Sequence, residues 1–161
     1  MDNRKYYPVR NANREEWDDA MALAWRTFMH FEASDYPKRG QESFLDFISD
    51  PHLHRMFIIG EYKLFVALDE KMNDKVIGMI TVRNKNHISL LFVDEHYHYH
   101  GIGRKLIYQV RDYIKTELKL DSVTVNSSPY AVEFYHRLGF KDEGGVQEND
   151  GVYSTPMRLY I

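Results

Sequence analysis

The chain has 161 residues, 43% of them hydrophobic and 14% aromatic, enough for the core of one globular domain spanning residues 1–161. Its formal net charge is -3, with both signs interspersed, so no basic face is offered to nucleic acid. With no cysteine there can be no disulfide, thiolate nucleophile or thiolate metal ligand. The segment Met1 to Arg10 is charged and lacks a signal-peptide core, and no apolar run approaches the ~20 residues of a membrane span, so the expected location is the cytoplasm.

Trp17, Ala20, Met21, Ala24, Trp25 and Phe28 fall at the spacing of an amphipathic helix, with Asn13 and Glu16 as a capping pair at its start. A polar loop, Glu32 to Gly40, is expected next. A short helix over Phe44, Leu45, Phe47 and Ile48 should then stop before Pro51, because a residue preceding proline avoids helical dihedrals. Leu64 to Leu68, Val76 to Val82 and His87 to Val93 read as strands joined by short polar turns, which predicts an antiparallel meander.

From Gly101 onward, Ile102, Leu106, Ile107, Val110, Tyr113, Ile114 and Leu118 repeat at helical spacing, and Asp121 to Val125 is again a strand. That strand–helix–strand unit should be parallel. A further helix follows Asn126-Ser127-Ser128-Pro129 and stops at Gly139. Phe140 to Ile161 should supply one or two strands, with Pro156 at an edge or bulge. The expected fold class is therefore α/β: a mixed central sheet, antiparallel first and parallel at its centre, flanked by about four helices.

The most informative stretch is Leu91-Phe92-Val93 followed by His98-Tyr99-His100-Gly101-Ile102-Gly103-Arg104. Here a strand passes through a glycine turn into a helix. Glycines let backbone N–H groups approach a ligand closely, and the unpaired N–H groups of a first helical turn favour anions, so a phosphorylated ligand is expected. A dinucleotide fingerprint fits poorly, since position 106 is Leu106 rather than a third glycine, and a P-loop fails because Gly103 is followed by Arg104 and Lys105.

The stretch resembles the pyrophosphate loop of the GNAT superfamily of N-acetyltransferases, Arg/Gln-x-x-Gly-x-Gly/Ala. The resemblance extends to Asn126, Ala131, Phe134-Tyr135 and Leu138-Gly139-Phe140 after the next strand. It implies acetyl-CoA as co-substrate, an amine acceptor and direct transfer through a ternary complex. It further implies that His98 to Arg104 cradle the pyrophosphate, that the main chain of Leu91, Phe92 and Val93 meets the pantetheine arm and polarises the thioester, and that Phe134 packs against the cofactor. A homodimer is also a family habit. His98 departs from the usual arginine or glutamine, and a shorter, partly charged imidazole would contribute less to phosphate binding.

Asn126 reads either as a pantetheine contact or as a helix-entry cap. Tyr135 reads as core by its residue type, whereas the resemblance makes it the general acid that protonates the departing thiolate. His96, His98 and His100 would share one face if the strand continued, which raises a metal site; no carboxylate stands at matching spacing, and no metal is expected. Glu32, Glu61, Asp94 and Glu95 each read as surface charges, so the sequence assigns no general base. That gap leaves a catalytically silent acyl-CoA-binding or sensor domain as the alternative. Phe31 to Pro37 and Tyr153 to Met157 are candidates for lining the acceptor side.

Overall fold

A computed structural model describes residues 6–161; Met1–Lys5, half of the charged N-terminal segment, lie outside the described residues. In chain order the elements are β1 (Val9–Asn11), α1 (Trp17–Phe31), α2 (Lys38–Ile48), α3 (Pro51–Ile58), β2 (Lys63–Asp69), β3 (Lys75–Arg83), β4 (His87–Val93), α4 (Ile102–Thr116), β5 (Ser122–Ser127), α5 (Val132–Arg137), β6 (Lys141–Asp142), β7 (Gln147–Asn149) and β8 (Val152–Tyr160). The sheet runs β1-β2-β3-β4-β5-β8-β6, with β7 also on β8, and every pairing is antiparallel except β4 with β5.

The unbroken apolar run Leu64-Phe65-Val66-Ala67-Leu68 follows from burial on both faces. Leu64, Val66 and Leu68 pack with α1, α2 and α3 around Leu23, Ala24 and Phe28. Phe65 and Ala67 pack on the other side with α4, where Leu106, Ile107, Val110 and Ile114 are fully buried. The helix stripes expected from the sequence thus sit on these two cores, and successive residues of β2 alternate between them.

Two helices differ from expectation. Helix α2 begins at Lys38, so the polar loop shrinks to one 3-10 turn, Ala33–Asp35, plus Tyr36 and Pro37. Gly40 was read as the end of that loop, yet it lies inside α2, where a Cβ would overlap the Gly151 carbonyl; the glycine allows the helix to approach the β7–β8 turn. Helix α2 stops at Ile48, before Pro51 as expected, but Pro51 then opens a helix that was not expected, α3, where its missing N–H costs no bond, while the Asp50 carboxylate accepts from His52 N–H at 2.9 Å. The Asn13–Glu16 capping box does form, on a single 3-10 turn leading into α1.

The C-terminal segment forms three strands instead of one or two. Pro156 pairs with Asn126 of β5, so it is not on an edge strand there, but its other side falls between β7 and β6. Its carbonyl accepts from Glu143 N–H at 2.7 Å, so the missing N–H of Pro156 points at that junction and interrupts no ladder.

Two irregularities open the centre of the sheet. The β3–β4 register jumps from Thr81↔Leu90 to Val82↔Ile88, which leaves Ser89 as a bulge. Strands β4 and β5 then pair only through His87↔Thr124 and Ile88↔Val125 before they part. The backbone of Leu90 to Val93 therefore has a strand partner, β3, on one side only.

Candidate functional site

The parting strands leave two cavities. One, of about 480 Å³, opens at the head of α4 and is lined by Leu91, Phe92 and Val93 of β4, by His98, Tyr99 and Gly101 to Arg104, and by Phe134 and Tyr135 of α5. The other, of about 440 Å³, lies over β4 between α1, α2 and the β7–β8 hairpin. Glu32, Leu91, Phe92, Ala131 and Tyr135 line both.

At the head of α4, Gly101 adopts φ 74° and stands as the N-cap, a conformation that favours glycine. The N–H groups of Ile102, Gly103 and Arg104 form the first turn and have no helical carbonyl to reach. A Cβ on Gly103 would lie 3.2 Å from Phe134 Cζ, so this glycine brings α5 against the start of α4. The cradle is therefore main chain at the end of a 15-residue helix dipole.

The three histidines before it do not converge. His96 Nδ1 lies 3.1 Å from Asp94 Oδ1, His98 Nε2 donates to the Val93 carbonyl at 2.8 Å while its ring stacks on Phe31, and His100 meets the Tyr7 ring edge-on. Residues 95–97 turn in a 3-10 helix, so the shared strand face that a metal site requires does not exist. Among the described residues no group of three His, Cys, Asp or Glu side chains is placed to hold a metal ion.

Two ionisable groups stand at the junction of the cavities. The Tyr135 ring packs edge-on against Phe134 and Phe140, only 4% exposed, and its hydroxyl makes no hydrogen bond with the described residues. Burial, reinforced by the charge of Glu32, holds the phenol above its ordinary value, so it is protonated at neutral pH. Glu32 is 8% exposed at the C-terminal end of α1. Burial, with a smaller push from Asp35, raises its carboxyl from 4.5 to about 7 against the opposing hydrogen bond from Ser128.

A family model for an acetyltransferase (GNAT) domain matches residues 32–161. The chain belongs to the GNAT acetyltransferase family. It is 27% identical over 149 residues to an uncharacterized N-acetyltransferase of Methanocaldococcus jannaschii, a match that covers 89% of this chain and 64% of that relative. This chain thus spans less than two thirds of its curated relative. The GCN5-related N-acetyltransferase crystal structure from Rhodopseudomonas palustris superimposes with a TM-score of 0.83 at 18% identity, covering 100% of this chain and 99% of that one. The PaiA N-acetyltransferase of Thermoplasma acidophilum, solved in complex with coenzyme A, gives 0.76 at 18% identity, with 98% and 100% covered. The spermidine N-acetyltransferase SpeG of Vibrio cholerae gives 0.66 at 19% identity, with 96% and 93% covered. At these identities the three structures share the GNAT fold with this chain.

Measured against the GNAT motif, Gly101, Ile102, Gly103, Arg104, Phe134 and Leu91 to Val93 are brought together around one cleft, as is Tyr135. His100 and Asn126 are not: His100 turns to Tyr7, and Asn126, at the end of β5, lines the second cavity. Arg104 donates from Nε to the Tyr108 hydroxyl at 2.7 Å. Glu32, weighed from the sequence and read as a surface charge, is instead buried. The signal was present, because position 32 lies four residues after Phe28 and so continues the buried stripe of α1. No helix among the described residues is long and apolar enough to cross a membrane.

Proposed function

We propose that the protein transfers the acetyl group of acetyl-CoA directly to a primary amine of a small molecule or peptide, with the cleft at the head of α4 taking the CoA and the cavity over β4 taking the amine. The observation that carries this reading is that the two cavities meet at Glu32, Leu91, Phe92, Ala131 and Tyr135.

When bound, acetyl-CoA supplies an acetyl thioester activated toward nucleophiles. The N–H groups of Ile102 to Arg104 receive the pyrophosphate, helped by the α4 dipole. The unpaired side of β4 beyond Ile88 offers main-chain partners to an extended pantetheine arm, and an N–H there polarises the thioester carbonyl. His98 already holds the Val93 carbonyl and braces the loop through Phe31, so its departure from arginine or glutamine costs the cradle little.

A lysine-like amine of pKa about 10.4 must lose a proton to act as a nucleophile. Glu32, raised to about 7, is partly ionised at neutral pH and accepts that proton as the C–N bond forms. The Tyr135 hydroxyl donates toward the sulfur as the C–S bond breaks, CoA leaves with its thiol protonated, and the remaining excess proton of the new amide nitrogen returns to the Tyr135 oxygen. Glu32 supplies the base whose lack in the sequence left a silent binding domain open.

The test is thiol release from acetyl-CoA across a panel of amines, with the acetylated product identified by mass. Stoichiometric thiol and acetyl-amine support the reading. Acetyl-CoA binding without transfer to any amine would contradict it and return the silent acyl-CoA-binding domain.

A further inference from the structure

The cavity over β4 has one charged side chain at each end. Glu32 stands where it meets the CoA cleft, and Arg83 stands at the far end, where β3 turns into β4; among the described residues no other Asp, Glu, Lys or Arg lines it. Alternation along β3 puts Met79, Thr81 and Arg83 on the α1–α2 face of the sheet, where Met79 joins the core and Thr81 accepts from Tyr62. From Leu91 back to His87, the strand partner of Arg83, four steps of extended chain span ~13 Å.

Arg83 is unspent. Its Nε is buried and has no hydrogen-bond partner among the described residues. By contrast, Arg10 holds Glu16, Arg26 holds Asp94, Arg39 holds Asp150 and Arg158 holds Glu143. A buried N–H without a partner is costly, so such a group points to a ligand that completes it. The guanidinium fork matches a carboxylate in two-point contact. Beside it, His87 bonds Thr124 and is held neutral, its pKa lowered to about 4 by burial and by the Arg83 charge, so it adds polarity without a second cation.

We propose that the acceptor is an amine that also carries a carboxylate, bound with its amine at Glu32, its carboxylate on Arg83, and an apolar body between them against Phe28, Phe44, Phe47 and Tyr153. This rests on the acetyl-transfer reading above and names the class of substrate. A polyamine, of the kind for which the Vibrio cholerae neighbour is named, would bring a second ammonium against Arg83 in a half-buried pocket, and like charges there repel.

The test uses glycyl-phenylalanyl-glycine as the free acid, the same peptide as its C-terminal amide, and spermidine; an extended tripeptide spans ~10 Å between its ends. Thiol release gives kcat/KM, and calorimetry with CoA present gives the dissociation constants independently of turnover. The free acid should exceed both the amide and spermidine by about tenfold or more in both readouts. Arg83→Gln should bring the acid-to-amide ratio close to one, and Arg83→Lys should keep part of it. Equal use of acid and amide by the parent protein, or a ratio that survives Arg83→Gln, overturns the assignment while leaving acetyl transfer intact. Preferential binding of the acid without thiol release keeps the Arg83 subsite and overturns the transfer reading instead.

Discussion

Glu32 and Tyr135 come from opposite ends of the chain's order, one closing α1 and the other in α5, yet they line the same two cavities, and burial, reinforced by the charge of the first, raises the phenol of the second. A base on one side of the junction and a protonated phenol beside it is the arrangement that moves a proton off an amine and supplies one to a thiolate.

Tyr135→Phe keeps the ring between Phe134 and Phe140 and removes only the hydroxyl. The variant should lose roughly 100-fold in kcat with little change in the KM for acetyl-CoA, because the proposed role of the lost group is at the leaving sulfur and not in cofactor binding. Steady-state kinetics check this, and parent-like turnover would remove Tyr135 from the reaction.

The two glycines of the cradle should fail differently. Gly101→Ala has open space around its Cβ but a φ of 74°, so it should cost about 1–2 kcal/mol of stability through strain. Gly103→Val places side-chain atoms where Phe134 already approaches to 3.2 Å of a Cβ, and should weaken acetyl-CoA binding by displacing α5 or the first turn of α4. Denaturant melts and calorimetric titration separate the two effects; equal acetyl-CoA affinity in a folded Gly103→Val protein would argue against the cradle.

His98→Ala should change acetyl-CoA affinity by less than about tenfold, since the imidazole serves the Val93 carbonyl and Phe31 and the proposed anion contacts are main chain. A larger loss in the same titration would mean that the imidazole itself holds phosphate.

The sequence made some of this site legible and hid the rest for physical reasons. The Gly101 to Gly103 loop could be read because a left-handed N-cap and a close helix contact both demand glycine, which leaves a visible mark. Tyr135 could be assigned a role only through its family motif, since an aromatic pair at a helix end serves a core equally well, and its ring does pack in the core. Glu32 was read as a surface charge because carboxylates usually are, although the α1 stripe carries it inward. Asn126 was expected at the CoA, but β5 delivers it to the other cavity, a consequence of where the strands part that no local pattern records. The start of α2 at Lys38 and the helix α3 from Pro51 went unread because Gly and Pro break helices in general, and only tertiary contact or position at the first turn makes them compatible with one, whereas the stop of α2 before Pro51 was read correctly.

Burial of Glu32 has a cost that depends on pH. Its carboxyl is raised from 4.5 to about 7 in the fold, so the native state holds the proton more tightly than the unfolded chain. The stabilising contribution is complete below about 4.5 and is lost as pH rises through about 7, on the order of 3 kcal/mol at most. Glu32→Gln should therefore melt above the parent at pH 8, with the difference shrinking toward pH 5. A constant difference across that range would place Glu32 in a wetter setting than the one described.

The most direct measurement is the pH dependence of kcat/KM for acetyl transfer in the parent protein and in Glu32→Gln. The parent should gain activity through a step near pH 7, set by ionisation of Glu32, and the variant should lack that step and transfer more slowly at every pH above it. Profiles of identical shape and height would contradict the assignment of Glu32 as the base and, with it, the meeting of the two cavities as the place where the acetyl group changes hands.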